Sequence, residues 1–325
     1  IAKGHQVALL APTEVLARQH AAKIAQYLKG SRVRTAFLSG ASATAERAET
    51  MSALQKGDIS LLIGTHAVLE KGVQFADLGL AIIDEQQKFG VSQRFAMRAK
   101  AKSPHVLVLS ATPIPRTLAM TLLGDLDIST IDGLPPGRKP VRTRMVGPEE
   151  VESAWKFVRS RLDRSEQAYV VYPLVEESEN VDLRAATTEM EVLRRSHFAG
   201  LEVGLLHGKM KAAAKEKVMD RFRVGEIRVL VSTIVIEVGV DVPNATVIAV
   251  QHADRFGLSQ LHQLRGRVGR GAKESHCLLF ADTKNEISLE RLRVLCSTND
   301  GFRIAEEDLR LRGPGELLGT RQHGA

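Results

Sequence analysis

QVALLAPTEVLARQHAAKIAQYL, residues 6–28, holds two periodicities in one stretch. Residues 6–12 form a short, nearly continuous apolar run. From residue 13 onward, Leu16, Ala17, His20, Ile24 and Leu28 fall on the helical period. A strand that is apolar on both faces and runs straight into a helix is the unit of a parallel sheet covered by helices on both sides. The unit recurs along the chain. Candidate strands follow at TAFLSG (35–40), ISLLIGT (59–65), LGLAIID (78–84) and HVLVLSA (105–111).

The pattern breaks at GLPPGRKP (133–140), whose prolines and glycines do not fit inside a regular element. A second series then begins, with strands at AYVVYPL (168–174), EVGLLHG (202–208), IRVLVST (227–233), ATVIAV (245–250) and SHCLLF (275–280). The two halves share an architecture but do not align as a close sequence repeat. Residues 286–298 and 303–311 read as two short helices around Asn299-Asp300-Gly301, and Gly313-Pro314-Gly315 ends helical character. The expected organisation is a first lobe over 1–134, a linker over 135–148, a second lobe over 149–283, and a helical hairpin with a following loop over 284–325.

Bulk properties narrow the function. The 325 residues suffice for two domains. No apolar run approaches the ~20 residues that span a bilayer, so no membrane partner is expected. The first residues, IAKGHQVALLAPTE, lack an initiator Met and a signal-peptide cleavage pattern. They read as the end of a helix entering a strand, so the chain is expected to begin inside a domain. A net charge of +7 suits a polyanionic partner. The two cysteines, Cys277 and Cys296, and the ten histidines form no zinc-ligand spacing. Only fourteen aromatic residues occur (ten Phe, three Tyr, one Trp), which argues against a base-stacking platform.

Chemistry-bearing residues follow the strands. In LAIIDEQQKFG (80–90), Asp84 and Glu85 stand where a buried strand ends, the usual place for ligands in open parallel sheets. Adjacent carboxylates there can divide labour: Asp84 holding Mg²⁺ through its water shell, Glu85 orienting and deprotonating a water. Two acids capping the next helix is the plainer alternative. VLSATPIPRT (108–117) offers Ser110 and Thr112 as hydroxyls able to relay the state of the nucleotide, or simply as a turn before proline. APTE (11–14) and GTHA (64–67) place Pro12, Thr13, Gly64 and Thr65 in tight turns whose backbone N–H groups can approach phosphates; plain helix caps read equally well. Further on, STIVIEVGVDVPNA (232–245) carries Thr233, Glu237, Gly239 and Asp241 in one loop, which suits contact with sugar, water and the arginine loop; a bulged strand with a Val-Pro-Asn turn is the plainer alternative. In QLRGRVGR (263–270), Gly266 and Gly269 permit tight backbone, and Arg267 and Arg270 can fork onto a phosphate.

No Gly-x-x-x-x-Gly-Lys-Ser/Thr phosphate loop occurs within the chain. GLLHGKM (204–210) has one residue too few between its glycines and Met210 in place of the hydroxyl.

Taken in order, APTE, GTHA, DEQQ, SATPIPRT, HGKM, STIVIEVGVDVP and QLRGRVGR resemble the motifs of the superfamily 2 helicases. DLRLRGPGELLGTRQHG (308–324), with LPPGRKPV, NDGF and the LVEESE segment, resembles the RecG-type branched-DNA helicases in particular. The resemblance spans essentially the whole chain. It implies two RecA-like α/β lobes of parallel sheet, the first truncated at its N-terminus, followed by the hairpin.

The resemblance further implies ATP and Mg²⁺ as cofactors, with Asp84 and Glu85 in the metal and water roles. Gln263, Arg267 and Arg270 take sensor and finger roles. Gln87, Ser110, Thr112, Glu237, Gly239 and Asp241 couple nucleotide to movement. Pro12, Thr13, Gly64, Thr65, His207 and Thr233 are the candidate DNA contacts. Arg310, Arg312, Arg321 and Gln322 belong to the expected translocation loop. Gln87 departs from the family's usual DEQH histidine: glutamine can still hydrogen-bond but cannot titrate. The implied activity is ATP-dependent translocation on branched double-stranded DNA, with Holliday-junction branch migration and fork regression, in the bacterial cytoplasm at the nucleoid. Single-strand-binding protein is a further implied partner. The family's phosphate loop and branch-reading wedge domain are expected upstream of Ile1. A catalytically inert DNA- or protein-binding module, and the motor of a transcription-repair coupling factor, are the alternatives.

Overall fold

The computed structural model describes residues 1–85, 100, 103–110, 127–131, 133, 137–173, 179–233 and 242–312. The described residues up to Ser110 make one compact unit and those from Asp127 onward another.

The first unit is a five-stranded sheet of β1 (Gln6–Leu10), β2 (Thr35–Leu38), β3 (Leu61–Gly64), β4 (Leu78–Ile83) and β5 (His105–Val108). Its order is β2-β3-β1-β4-β5, and every pairing is parallel. Successive residues of one strand enter opposite cores. Ala8, Leu10, Leu62, Ala81 and Ile83 pack with Leu54 of helix α2 (Thr44–Gln55). Val7, Leu9, Leu61 and Ile63 pack with Ala21 and Ile24 of helix α1 (Glu14–Tyr27). This two-sided burial is why the strands read as continuous apolar runs. Ile1–Gly4 form a turn rather than the helix end expected from sequence, closed by Gly4 N–H donating to Ile1 O at 2.9 Å.

The second unit is a six-stranded parallel sheet of β6 (Arg142–Val146), β7 (Gln167–Val171), β8 (Val203–Leu206), β9 (Val229–Ser232), β10 (Ala245–Val250) and β11 (His276–Phe280), in the order β6-β11-β10-β7-β9-β8. Helices α3 (Val151–Asp163), α4 (Glu179–Ser196), α5 (Ala212–Arg223) and α6 (Leu258–Arg265) belong to it. On one face, Trp155 of α3 stacks on Phe280 at 4.9 Å between ring centroids and meets Phe198 edge-on at 5.7 Å. All ten strands expected from sequence form. The eleventh, β6, falls within the stretch assigned to the linker. Its polar, arginine-bearing RTRMV hid it, and that composition suits its place at the edge of the sheet beside β11.

The expected hairpin is present as α7 (Glu286–Ser297) and α8 (Gly301–Arg312). Asn285 caps α7 by accepting from Ser288 N–H at 3.0 Å, and Asp300 accepts from Phe302 N–H at 2.9 Å as α8 begins.

Candidate nucleotide and nucleic-acid site

In the first unit the candidate residues gather at the C-terminal edge of the sheet. The strand ladders run one residue beyond the strands: Asp84 N–H donates to Leu10 O (2.9 Å), Ala11 N–H to Gly64 O (2.9 Å), Thr65 N–H to Leu38 O (3.2 Å) and Leu109 N–H to Ile83 O (2.8 Å). The Pro12–Thr13 turn therefore lies between the Gly64–Thr65 turn and the Asp84–Glu85 pair, with Ser110 beyond. From β1 the chain crosses toward β2, and from β4 toward β5, so β1 and β4 flank the point where the winding reverses, the position where open α/β sheets bind ligands. Thr13 caps α1, its hydroxyl accepting from Leu16 N–H at 3.4 Å. Gly64 is required by space: a Cβ there would lie 2.0 Å from Leu38 O.

Asp84 is held at both oxygens. Oδ1 accepts from Glu85 N–H at 2.9 Å, and Oδ2 lies 2.7 Å from Nε2 of His20 on α1. Glu85 adopts a left-handed backbone, φ 52°, costly for a residue with a Cβ and typical of positions where function over-determines geometry.

In the second unit His207 follows β8 and Thr233 follows β9, with Thr233 N–H donating to Leu206 O at 3.2 Å. His207 Nδ1 is buried and meets no hydrogen-bond partner among the described residues. Burial, and then the cations Lys215 and Lys209, lower the His207 pKa and favour the neutral ring. Gly204, the first glycine of the phosphate-loop decoy, lies inside β8 against Ile227, so this stretch is strand and not loop.

Gln263 sits on α6, which ends at Gly266, and Arg267 and Arg270 follow half-buried. Gly269 has φ 74°, and its carbonyl accepts from Arg138 Nε at 2.8 Å, so the proline-rich stretch braces the arginine turn. Arg265, unremarked in the sequence, is 3% exposed and donates to Leu295 O (2.8 Å) and Thr298 O (2.7 Å) at the end of α7. Its Nη2 also donates to His262 Nδ1 at 3.0 Å. Burial, then the Arg265 charge, pushes the His262 pKa down to about 4. Arg310 lies on α8, not in a loop, paired with Glu307 at 2.7 Å and with Glu290 of α7. Arg312 ends the same helix. Gln87, Thr112, Glu237, Gly239, Asp241, Arg321 and Gln322 lie outside the described residues.

Residues 1–121 match the family described as DEAD/DEAH box helicase, residues 152–272 the helicase conserved C-terminal domain, and residues 298–325 the C-terminal part of domain 3 of ATP-dependent DNA helicase RecG. A protein of Synechocystis named ATP-dependent DNA helicase RecG is 50% identical over 321 residues, covering 99% of this chain and 39% of that protein. Its namesake in Streptococcus pneumoniae is 49% identical over 325 residues, covering 100% of this chain and 48% of that protein. Over essentially its whole length the chain is similar to RecG-type superfamily 2 helicases. It spans less than half the length of these relatives. A structure of RecG bound to a three-way DNA junction superposes with a TM-score of 0.80 at 43% identity, over 97% of this chain and 41% of the other. A structure of S. cerevisiae Dbp5 bound to RNA and ADP BeF3, 17% identical with a TM-score of 0.63 over 95% of this chain and 81% of that one, shares the fold of two RecA-like lobes.

Two features of this chain escaped the sequence reading. His20 was legible only as a polar intruder in the apolar stripe Leu16, Ala17, Ile24, Leu28. Arg265 was hidden among neighbouring arginines of the same motif, and only its burial separates it from them.

Proposed function

We propose that this chain supplies the motor lobes of an ATP-dependent helicase that acts on branched DNA, migrating Holliday junctions and regressing stalled forks. The observation that carries this reading is identity of about one half, over essentially the whole chain, to proteins named ATP-dependent DNA helicase RecG. The Asp84–Glu85 geometry supports it. Each Asp84 oxygen makes one hydrogen bond and keeps acceptor capacity for a metal-bound water, so the carboxylate fits a water-mediated Mg²⁺. Mg²⁺, when bound with ATP, supplies charge neutralisation at the phosphates. Glu85 orients the attacking water and takes its proton. Arg267 and Arg270 answer the charge of the transferring phosphoryl group, with Gln263 sensing it. Pro12, Thr13, Gly64, Thr65, His207 and Thr233 contact the DNA. Gln87, Ser110, Thr112, Glu237, Gly239 and Asp241 link the two activities, and the segment with Arg312, Arg321 and Gln322 moves the duplex. The site of action is the bacterial nucleoid, with single-strand-binding protein as a partner.

The test is a measurement of DNA-stimulated phosphate release and junction unwinding by the intact protein. Turnover that depends on forked DNA and on Mg²⁺ is expected. Displacement of stalled RNA polymerase without junction unwinding would favour the transcription-repair motor instead. Residues 1–325 alone contain no phosphate-loop motif, so as an isolated polypeptide they are expected to bind DNA with negligible turnover.

A further inference from the structure

His20 sits on the face of α1 that packs onto the sheet, 29% exposed at the side chain, and its Nε2 approaches Asp84 Oδ2 to 2.7 Å. With its hydrogen on Nε2 the imidazole donates to the Asp84 carboxylate in this geometry. With Glu85 N–H on Oδ1, the His20 bond removes the rotational freedom of the Asp84 carboxylate.

The same helix begins at the Pro12–Thr13 turn. Thr13 and His20 are seven residues apart, about two helical turns and roughly 10 Å along the axis, on nearly the same face. Between them α1 is tied down: Ala17 is fully buried and its N–H bonds Thr13 O at 3.0 Å, while the Arg18 guanidinium lies over the Phe37 ring at 4.6 Å. A shift of the Pro12–Thr13 turn therefore moves His20 as part of one rigid body.

We propose that His20 is a positioning residue for Asp84, and that α1 transmits the state of the Pro12–Thr13 turn to the metal-facing carboxylate. This rests on the proposed roles of Asp84 at the nucleotide and of that turn at the DNA. Residues behind a metal-facing ligand typically change metal affinity or activity by about 10–100-fold when removed.

The test uses the intact protein with His20→Ala, His20→Asn and His20→Gln. Asn carries its amide near the position of Nδ1 and falls short of Asp84, whereas Gln carries its amide near Nε2. Three quantities are read: affinity for forked DNA, the ratio of DNA-stimulated to basal ATPase, and the Mg²⁺ concentration for half-maximal binding of a fluorescent ATP analogue. The last does not depend on turnover. Ala and Asn are expected to raise the Mg²⁺ midpoint and lower the stimulation ratio by about tenfold or more, with Gln close to the native protein. DNA affinity should stay within about twofold, because no phosphate contact is lost. If Ala unfolds the protein, the comparison of Asn with Gln decides. Equal behaviour of Asn and Gln, or an unchanged Mg²⁺ midpoint in Asn, overturns the inference. Asp84→Asn separates the two claims. If it leaves the Mg²⁺ midpoint and turnover unchanged, the nucleotide-site reading itself fails; if it abolishes them while the His20 variants do nothing, only the role of His20 fails.

Discussion

Gln6 and Gln167 do the same work in the two units. Each starts a central strand, is almost fully buried, and donates both amide hydrogens to a helix end and to the approach of a neighbouring strand. Gln6 Nε2 donates to Leu54 O (2.9 Å) in the last turn of α2 and to Ile59 O (2.7 Å) before β3. Gln167 Nε2 donates to Phe222 O in the last turn of α5 and to Ile227 O (2.9 Å) before β9. Their amide oxygens accept from Asp77 N–H and from Asn244 Nδ2. Two lobes whose sequences do not align thus keep one device for closing the base of the sheet.

Gln6→Ala and Gln167→Ala should each lower stability by about 1–3 kcal/mol, because buried carbonyls lose their donors. The two sites share no partner, so the double variant should show the sum within about 0.5 kcal/mol. Urea denaturation of the single and double variants checks this. A loss below about 0.5 kcal/mol, the range of an ordinary surface substitution, would assign the closure to the backbone alone.

His262 gives the second unit an acid-sensitive joint. Arg265 Nη2 donates to His262 Nδ1, so a proton added at Nδ1 would face the guanidinium that now binds it. The folded pKa of about 4 lies below the ordinary 6.5, so the unfolded chain binds the proton more readily. The stability from the neutral ring is therefore fully present above pH about 6.5 and is lost as pH falls through about 4. The span corresponds to a few kcal/mol, of the order of 3. His262→Gln, which cannot titrate, should show a shallower loss of stability between pH 6.5 and 4 than the native protein. Hydrogen exchange of the α7 amides, whose helix end Arg265 holds, is the local readout. Parallel pH profiles for the two proteins would remove His262 as the cause.

Glu85→Gln keeps the shape of the side chain and removes the base. It should trap bound ATP and slow hydrolysis in the intact protein. Arg270→Ala should slow hydrolysis by about 10³-fold or more, the lower bound for arginine fingers, while DNA affinity changes little. Single-turnover hydrolysis and DNA-binding titrations on the same preparations separate the effects. Hydrolysis within about threefold of the native rate in either variant would cancel the role assigned to that residue.

The lobes were legible because every central strand is apolar on both faces, and that pattern survives without knowledge of its partners. β6 was not legible: RTRMV buries only part of itself at the sheet edge, so its arginines look like linker. The carboxylate pair, the Thr13 cap and the hairpin helices could be placed because each depends on local order along the chain. His20 on Asp84 and Arg265 on α7 could not, since the partners lie 64 and at least 30 residues away and the residue types are ordinary surface ones. Arg310 illustrates the reverse. The resemblance placed it in the expected translocation loop, whereas its guanidinium is engaged by Glu290 and Glu307 across the hairpin.

That engagement gives Arg310 an expectation of its own. The Glu290 and Glu307 pairs are exposed to solvent, so they are screened and contribute little to stability. Arg310→Ala in the intact protein should leave DNA-stimulated hydrolysis, junction unwinding and the melting temperature nearly unchanged. Arg321→Ala and Gln322→Ala should leave hydrolysis largely intact and impair unwinding, because both belong to the segment proposed to move the DNA. A simple phosphate contact at Arg321 makes a different signature: lower affinity with a logarithmic salt slope reduced by about one unit, and unwinding that recovers at high DNA concentration. Hydrolysis, unwinding and salt-dependent binding measured on all three variants distinguish these outcomes. Loss of unwinding in Arg310→Ala, with Arg321→Ala behaving as native, would move the coupling function from the tail to the hairpin itself.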